Sequence, residues 1–355
     1  MKMLNRRFMA FLAVIVMVIA ACGGDDTTAT TGGEGEGFTV GVSWNNYNEE
    51  RWALWDEPAI VSAIEGAGGT YINTDAGSSA EQQIADVEQL ITDGADVIII
   101  LAQDGTAILP AVDSALEQGI PVIAYDRLIE NPEALYITFD NVGVGRLQAE
   151  VIFGLVPEGN YAIIKGNSAD ANADFLRAGY EQVIGEAAAA GTINIACETY
   201  TDNWDPAIAQ TNMEQCLTQE ANAIDAVLSE NDGMAGGVVA ALEAVGLSVP
   251  VSGQDGDLAA LARVAAGSQS VSVWKDAREL GTAAGEAAVQ LAQGAAIGDV
   301  TGVVQFDSPG GNSMTSILLT PIPITQDNLD LVVDAGWISV EELCANTAAG
   351  VAACE

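Results

Sequence analysis

Three short strings hold much of the chemistry open to this chain: Glu50-Arg51-Trp52, Tyr125-Asp126-Arg127 and Gly253-Gln254-Asp255. To these are added Asp170 and Asn172, Trp204 in Asn203-Trp204-Asp205, Asn231 in Glu230-Asn231-Asp232, and Trp274-Lys275. Carboxylates, guanidinium groups, amides and indoles in these pairings suit a neutral, polyhydroxylated ligand. Hydrogen bonds from charged groups to hydroxyls contribute ~1.5–3 kcal/mol each when well made, and a flat indole covers the apolar C–H face of a ring. Other chemistries are excluded by composition. The chain has 355 residues and no histidine, which removes Ser-His-Asp and Cys-His relays and His-based zinc sites. With 11 Lys+Arg against 50 Asp+Glu and a formal charge of -39, it lacks the clustered cations that nucleic-acid binding needs. Gly143-Val144-Gly145-Arg146 half-matches a dinucleotide fingerprint but lacks the third glycine, so no cofactor is expected. Carboxylates are available for a sugar-modifying enzyme, yet no nucleophile elbow or cofactor motif accompanies them. The expectation is a binding protein, not an enzyme.

The elements that must position these residues follow an alternating rhythm. Apolar runs at 38–44, 70–76, 96–102, 121–126 and 136–141 read as strands buried on both faces, separated by helical composition at 50–66, 79–94 and 106–119. The second half repeats this with runs at 160–166, 192–200, 224–231, 249–255 and 270–276. Strands alternating with helices imply parallel sheets with right-handed crossovers. Two sets of five strands suggest an α/β protein of two doubly wound lobes. In such lobes ligands meet the loops at the C-terminal strand ends, and every string named above follows a strand. Arg177, seven residues past Asp170 in a helical stretch, reads as a structural ion pair. Asp232 and Asp257 precede helical stretches and could act as helix caps.

At these residues the sequence resembles the xylose-binding branch of the ribose/galactose-type periplasmic binding proteins, the sugar-capturing components of ABC importers. The likeness rests on Glu50-Arg51-Trp52, Ala124-Tyr125-Asp126-Arg127, Phe175-Leu176-Arg177-Ala178-Gly179, Ser252-Gly253-Gln254-Asp255 and Leu318-Leu319-Thr320-Pro321. It implies a type I fold whose lobes are joined by a three-crossover hinge. The N-terminal lobe would take residues 38–142 and 276–306, the C-terminal lobe 143–275 and 307–355. Arg51, Asp126 and Arg127 would hydrogen-bond a monosaccharide from the first lobe, with Trp52 stacked on it. Asp170, Asn172, Asn231 and Asp255 would bind from the second, with Trp204 as the other ring and Lys275 at the boundary. The resemblance further implies hinge closure, a membrane permease as partner, a monomer, and xylose or a related aldose as ligand. A sensor that presents sugar to a chemoreceptor or kinase would use the same pocket. Two departures from the family pattern are the Asn-rich stretch 45–49 and Ala171 between Asp170 and Asn172.

The N-terminal end reads as an export signal. Lys2, Arg6 and Arg7 precede an apolar run from Phe8 to Ala21, too short for the ~20 residues of a membrane span. Ile19-Ala20-Ala21-Cys22-Gly23 resembles a bacterial lipobox, which makes residues 1–21 a signal peptide and Cys22 the lipidated residue. Residues 22–37, rich in Gly, Thr and acidic side chains, read as a flexible tether. The folded part is therefore expected outside the cytoplasm, held at the membrane. Cys197, Cys216, Cys344 and Cys354 form an even set in an oxidising compartment, favouring two disulfides. The sequence-local pairs are preferred among three connectivities.

Overall fold

The computed structural model describes residues 37–345 and 351–354; the expected signal peptide, Cys22 and tether up to residue 36 lie outside the described residues. Ten strands fall on the ten apolar runs: β1 (Thr39–Trp44), β2 (Thr70–Asp75), β3 (Val97–Ile100), β4 (Val122–Tyr125), β5 (Leu135–Phe139), β6 (Gly159–Lys165), β7 (Ile193–Tyr200), β8 (Ala226–Ser229), β9 (Ser252–Asp255) and β10 (Val271–Trp274). Three more follow, β11 (Val304–Asp307), β12 (Ser313–Leu319) and β13 (Ile322–Ile324). A seven-stranded sheet of order β11-β12-β5-β4-β3-β1-β2 forms the N-terminal lobe. The C-terminal lobe is built from β7-β6-β8 and β9-β10-β13, which meet at one parallel bridge, Val227 to Val251.

The centre of the N-terminal sheet is apolar on both faces because helices cover both. Val97, Ile98, Ile99 and Ile100 have no exposed surface, each contributing roughly 1.5–3 kcal/mol by burial. β2 departs from the expected two-sided burial: its residues are exposed or half-buried throughout. It is an edge strand with polar Thr, Asn and Asp, a composition that suits one open flank.

Glycines set how closely the helices approach. In the pair Asn141–Leu155 and Ala171–Ala189, a Cβ on Gly145 would lie 2.1 Å from Leu176 O and one on Gly179 2.3 Å from Val142 O. The half-matched dinucleotide string is thus a helix-packing motif, and its partner is the Phe175–Gly179 string. Helices Glu57–Gly66 and Ala277–Ala292 use Gly281 in the same way, its Cβ position 2.6 Å from Asp56 O.

The chain passes between the lobes after β5, after β10 and after β12. The last passage corrects the expected boundary at 307. β11 and β12 form an antiparallel hairpin, with Val304 opposite Ser316, and β12 then pairs in parallel with β5 from Ser316–Tyr136 to Leu319–Phe139. Asp307 to Ser313 is therefore a turn inside the N-terminal lobe, and the crossing lies at Thr320-Pro321, ahead of β13 on β10. Disulfides join Cys197 to Cys216 and Cys344 to Cys354. The first closes a loop of 19 residues, worth about 3 kcal/mol in the chain-entropy account.

Candidate functional site

The C-terminal strand ends of both lobes face one another and enclose a small buried space. Glu49, Trp52, Asp126 and Arg127 line it from the N-terminal lobe; Asp170, Asn172, Trp204, Asn231, Gln254 and Asp255 line it from the C-terminal lobe, and Lys275 from the boundary. Its empty volume, part of it continuous with solvent, is about 260 Å³. Gln254 and Asp255 end β9, and every other lining residue follows a strand: β1, β4, β6, β7, β8 or β10.

Nine of the ten residues expected at the site line this space. Arg51 stands behind the wall, 1% exposed. Its Nε and Nη2 grip both oxygens of Asp56 at 3.0 and 2.8 Å, and Nη1 reaches Asp126 Oδ2 at 3.2 Å and Asp255 Oδ1 at 3.3 Å. Tyr125 donates its hydroxyl to Asp56 as well. Arg51 thereby orients one carboxylate from each lobe. Two lining residues, Glu49 and Gln254, were not among those expected. Glu49 accepts from Trp52 Nε1 at 2.7 Å and pairs with Arg127 Nη2 at 2.9 Å, fixing ring and guanidinium together. Gln254 Oε1 is buried with no hydrogen-bond partner. Gln254 stands in the Gly253-Gln254-Asp255 string, and Glu49 ends the stretch 45–49, one residue ahead of Glu50-Arg51-Trp52. Their signal was position at the C-terminal end of a strand, not residue type.

Across the space, Arg127 Nε meets Asp170 Oδ2 at 3.0 Å and Lys275 Nζ meets Asp255 Oδ1 at 2.9 Å. Asn172 Nδ2 donates to the Asp126 carbonyl at 3.2 Å and faces Asp126 Oδ1 at 3.3 Å. Asn141, at the head of its helix, donates to Asn172 Oδ1 at 2.9 Å. On the C-terminal side the backbone does much of the positioning. Asp170 caps helix 171–189 by accepting from Asn172 N at 3.0 Å, and Asn231 caps helix 232–244 by accepting from Met234 N at 2.9 Å. Trp204 donates from Nε1 to Asp170 Oδ2 at 3.2 Å, and its ring lies where a Cβ on Gly166 would be, 2.2 Å away. Only glycine fits at position 166 against that ring.

The carboxylates do not share one electrostatic fate. Burial alone would raise Asp126, but Lys275, Arg51 and Arg127 outweigh it and hold its pKa below the ordinary value. Burial wins at Asp170, which stays raised against the opposing pull of Arg127. Asp56 is pushed up to about 6 by burial, with Arg51 the largest opposing influence. Asp232 lies one position inside its helix, so Asn231 takes the cap role instead. It accepts from Ser272, Gln269 and the backbone of Gly256 and Asp257, and burial raises its pKa. Asp257 occupies the cap position of helix Leu258–Ala266 but makes no side-chain cap bond. Arg177 pairs with Glu181 at 3.0 Å and Glu198 at 3.1 Å, away from the site. Among the described residues no group of three or more His, Cys, Asp or Glu side chains could hold a metal ion.

A family model described as a periplasmic binding protein domain matches residues 40–296. The chain belongs to the periplasmic binding protein family. This binding protein is 37% identical over 308 residues to the D-xylose-binding periplasmic protein of Escherichia coli (strain K12), covering 86% of this chain and 92% of the relative. It is 34% identical over 311 residues to the D-xylose-binding periplasmic protein of Haemophilus influenzae, covering 86% and 91%. Among solved structures, an ABC transporter solute binding protein from Clostridium phytofermentans with bound β-D-glucose superimposes with a TM-score of 0.79 at 28% identity, covering 86% of this chain and 99% of that one. The fold of this binding protein is accordingly the type I arrangement of two doubly wound lobes.

Proposed function

We propose that this protein captures a free monosaccharide, xylose or a closely related aldose, outside the cytoplasm and delivers it to an ABC importer. The observation that carries this reading is the convergence of five separate strings on one buried space: Arg127 and Asp126 from one lobe, Asp170, Asn172 and Asp255 from the other, with Trp52 and Trp204 among its walls. Alternating fixed donors and acceptors match a ring of hydroxyls, and Gln254 Oε1 offers an acceptor that a ligand hydroxyl would satisfy. The two relatives named for D-xylose support the same ligand class. An open form would bind sugar on one lobe, and closure would add the other lobe's contacts. In this reading the protein acts by binding, as a monomer, and its closed form is what the permease meets.

Anchoring through Cys22 belongs to this reading. Cys22→Ser should move the protein from the membrane fraction to the soluble one; unchanged partition would end the lipoprotein assignment. The ligand itself is tested by a thermal-shift panel of aldoses. Sugar at ~100 times its dissociation constant should add about 2.7 kcal/mol of stability. D-xylose is expected to lead the panel, and D-glucose to trail it because its extra CH2OH must fit the same confined space. A panel in which no monosaccharide raises the melting temperature would overturn the function.

A further inference from the structure

Most contacts that cross the site are charged groups a sugar would also engage. Others are neither charged nor part of the lining, among them a long backbone bond from Gly105 N–H to Ala169 O at 3.5 Å and a shorter one between side-chain amides. Gln103, just beyond β3 and 6% exposed, donates from Nε2 to Asn203 Oδ1 in the C-terminal lobe at 2.7 Å. Gln103 is itself held on the N-terminal lobe: its backbone N–H donates to Gln83 Oε1 at 2.7 Å, and Gln83 Nε2 donates to Leu101 O at 2.8 Å. The amides of Asn45 and Asn46 face its Oε1, each at 3.5 Å. These two belong to the Asn-rich stretch that departs from the family pattern. The partner side is equally constrained. Asn203 and Trp204 are consecutive non-glycine residues with left-handed backbone, φ 54° and 55°, a conformation that persists only where surroundings impose it. Trp204 is wedged between Gly166 and Asp170, so the turn that Gln103 grips is the one that presents the indole to the site.

We propose that Gln103 and Asn203 form an interlobe amide clasp that sets how long the lobes stay closed and holds Trp204 in place. Because neither residue lines the space, the clasp survives while a ligand occupies it. It governs release, and it does so alike for every sugar that fits. Both are positioning residues. The proposal rests on the monosaccharide reading, and the experiment separates the two.

The test uses the full-length chain in detergent, with Gln103→Ala, Asn203→Gly, Asn203→Asp and the Gln103→Ala/Asn203→Gly double variant, and stopped-flow tryptophan fluorescence with D-xylose and D-glucose. Glycine and aspartate both tolerate the left-handed turn, but only aspartate keeps an acceptor for Gln103. A single neutral hydrogen bond predicts release about 2- to 10-fold faster in Gln103→Ala and Asn203→Gly, carried by the dissociation rate. The double variant should release no faster than the faster single variant, since both remove one interaction. Asn203→Asp should keep wild-type release, and the xylose-to-glucose preference should hold in every variant. Unchanged release, effects that multiply in the double variant, or a changed preference would overturn the clasp. Should Gln103→Ala fail to fold, the Asn203→Gly and Asn203→Asp pair decides alone. If wild type binds no aldose, the functional reading fails, and the clasp is judged by small-angle scattering of the protein without sugar. A larger radius of gyration in Asn203→Gly than in Asn203→Asp supports it; equal radii refute it.

Discussion

The two lobes solve the same problem, holding polar groups in a buried wall, by different means. The N-terminal lobe uses side-chain charge. Arg51, Asp56 and Tyr125 satisfy one another and Arg51 also pairs with Asp126, and Glu49 ties Arg127 to Trp52. The C-terminal lobe adds backbone to its ion pairs, Asp170 with Arg127 and Asp255 with Lys275. Asp170 and Asn231 are helix caps, and its buried Asp232 is met by neutral donors from Ser272, Gln269 and two backbone N–H groups. The sheets differ in parallel: seven strands in one run on the first side, two three-stranded pieces on the second. A wall of ion pairs fails when one partner is removed, because the other is stranded in low dielectric. A wall of caps fails by a smaller step, since water can replace part of a terminal hydrogen bond.

That contrast sets an order of effects. Arg51→Ala leaves Asp56 buried without its cation, and denaturant unfolding should show a loss of about 3–5 kcal/mol. A loss below 1 kcal/mol would show that the N-terminal wall does not depend on charge. Asn231→Ala removes a cap and should cost ~0.5–2 kcal/mol, while Asn231→Asp keeps the cap and should stay near wild type in the same melts. Equal costs for Arg51→Ala and Asn231→Ala would erase the distinction between the lobes.

Acidity sharpens the comparison further. Asp56, raised to about 6, and Asp232, also raised, bind protons more readily folded than unfolded. For such groups stability is greatest below the unfolded value of ~4 and is lost as pH rises through the folded value. The melting temperature should therefore climb as pH falls from 8 towards 5. Asp232→Asn should flatten that climb and leave the part due to Asp56 and to the other carboxylates that burial raises, Asp170, Glu230 and Asp257. Below pH ~4 the trend should reverse, because Asp126, lowered by Lys275, Arg51 and Arg127 against its burial, loses stability as it is protonated. A melting curve flat between pH 8 and 5 would contradict both assignments.

Much of this was legible in the sequence where signals are local. Each apolar run became a strand, and the polar strings after them reached one space because parallel strands deliver their C-terminal ends to one edge. What escaped was non-local. Arg51 was read by its string, yet its place behind the wall depends on Asp56 and on Asp255, 204 residues away. The boundary at 307 missed that β12 returns to β5, since a short apolar strand carries no mark of which sheet will accept it. β2 looked apolar enough to be central and proved to be an edge. Gln103 and Asn203 stand 100 residues apart, and nothing local to either string pairs them before the fold does.

The central claim is that one buried space, walled by charge on one side and by caps and ion pairs on the other, holds a free aldose. Calorimetric titration of the full-length chain with D-xylose, beside Arg127→Ala and Asp255→Ala, tests it most directly. The account predicts one saturable site in the wild type. Affinity should fall by roughly 2–5 kcal/mol in each variant, because each strands a charged partner in the wall, while melting without sugar stays cooperative. Wild-type affinity in both variants, or no heat with any aldose at millimolar concentration, would contradict it.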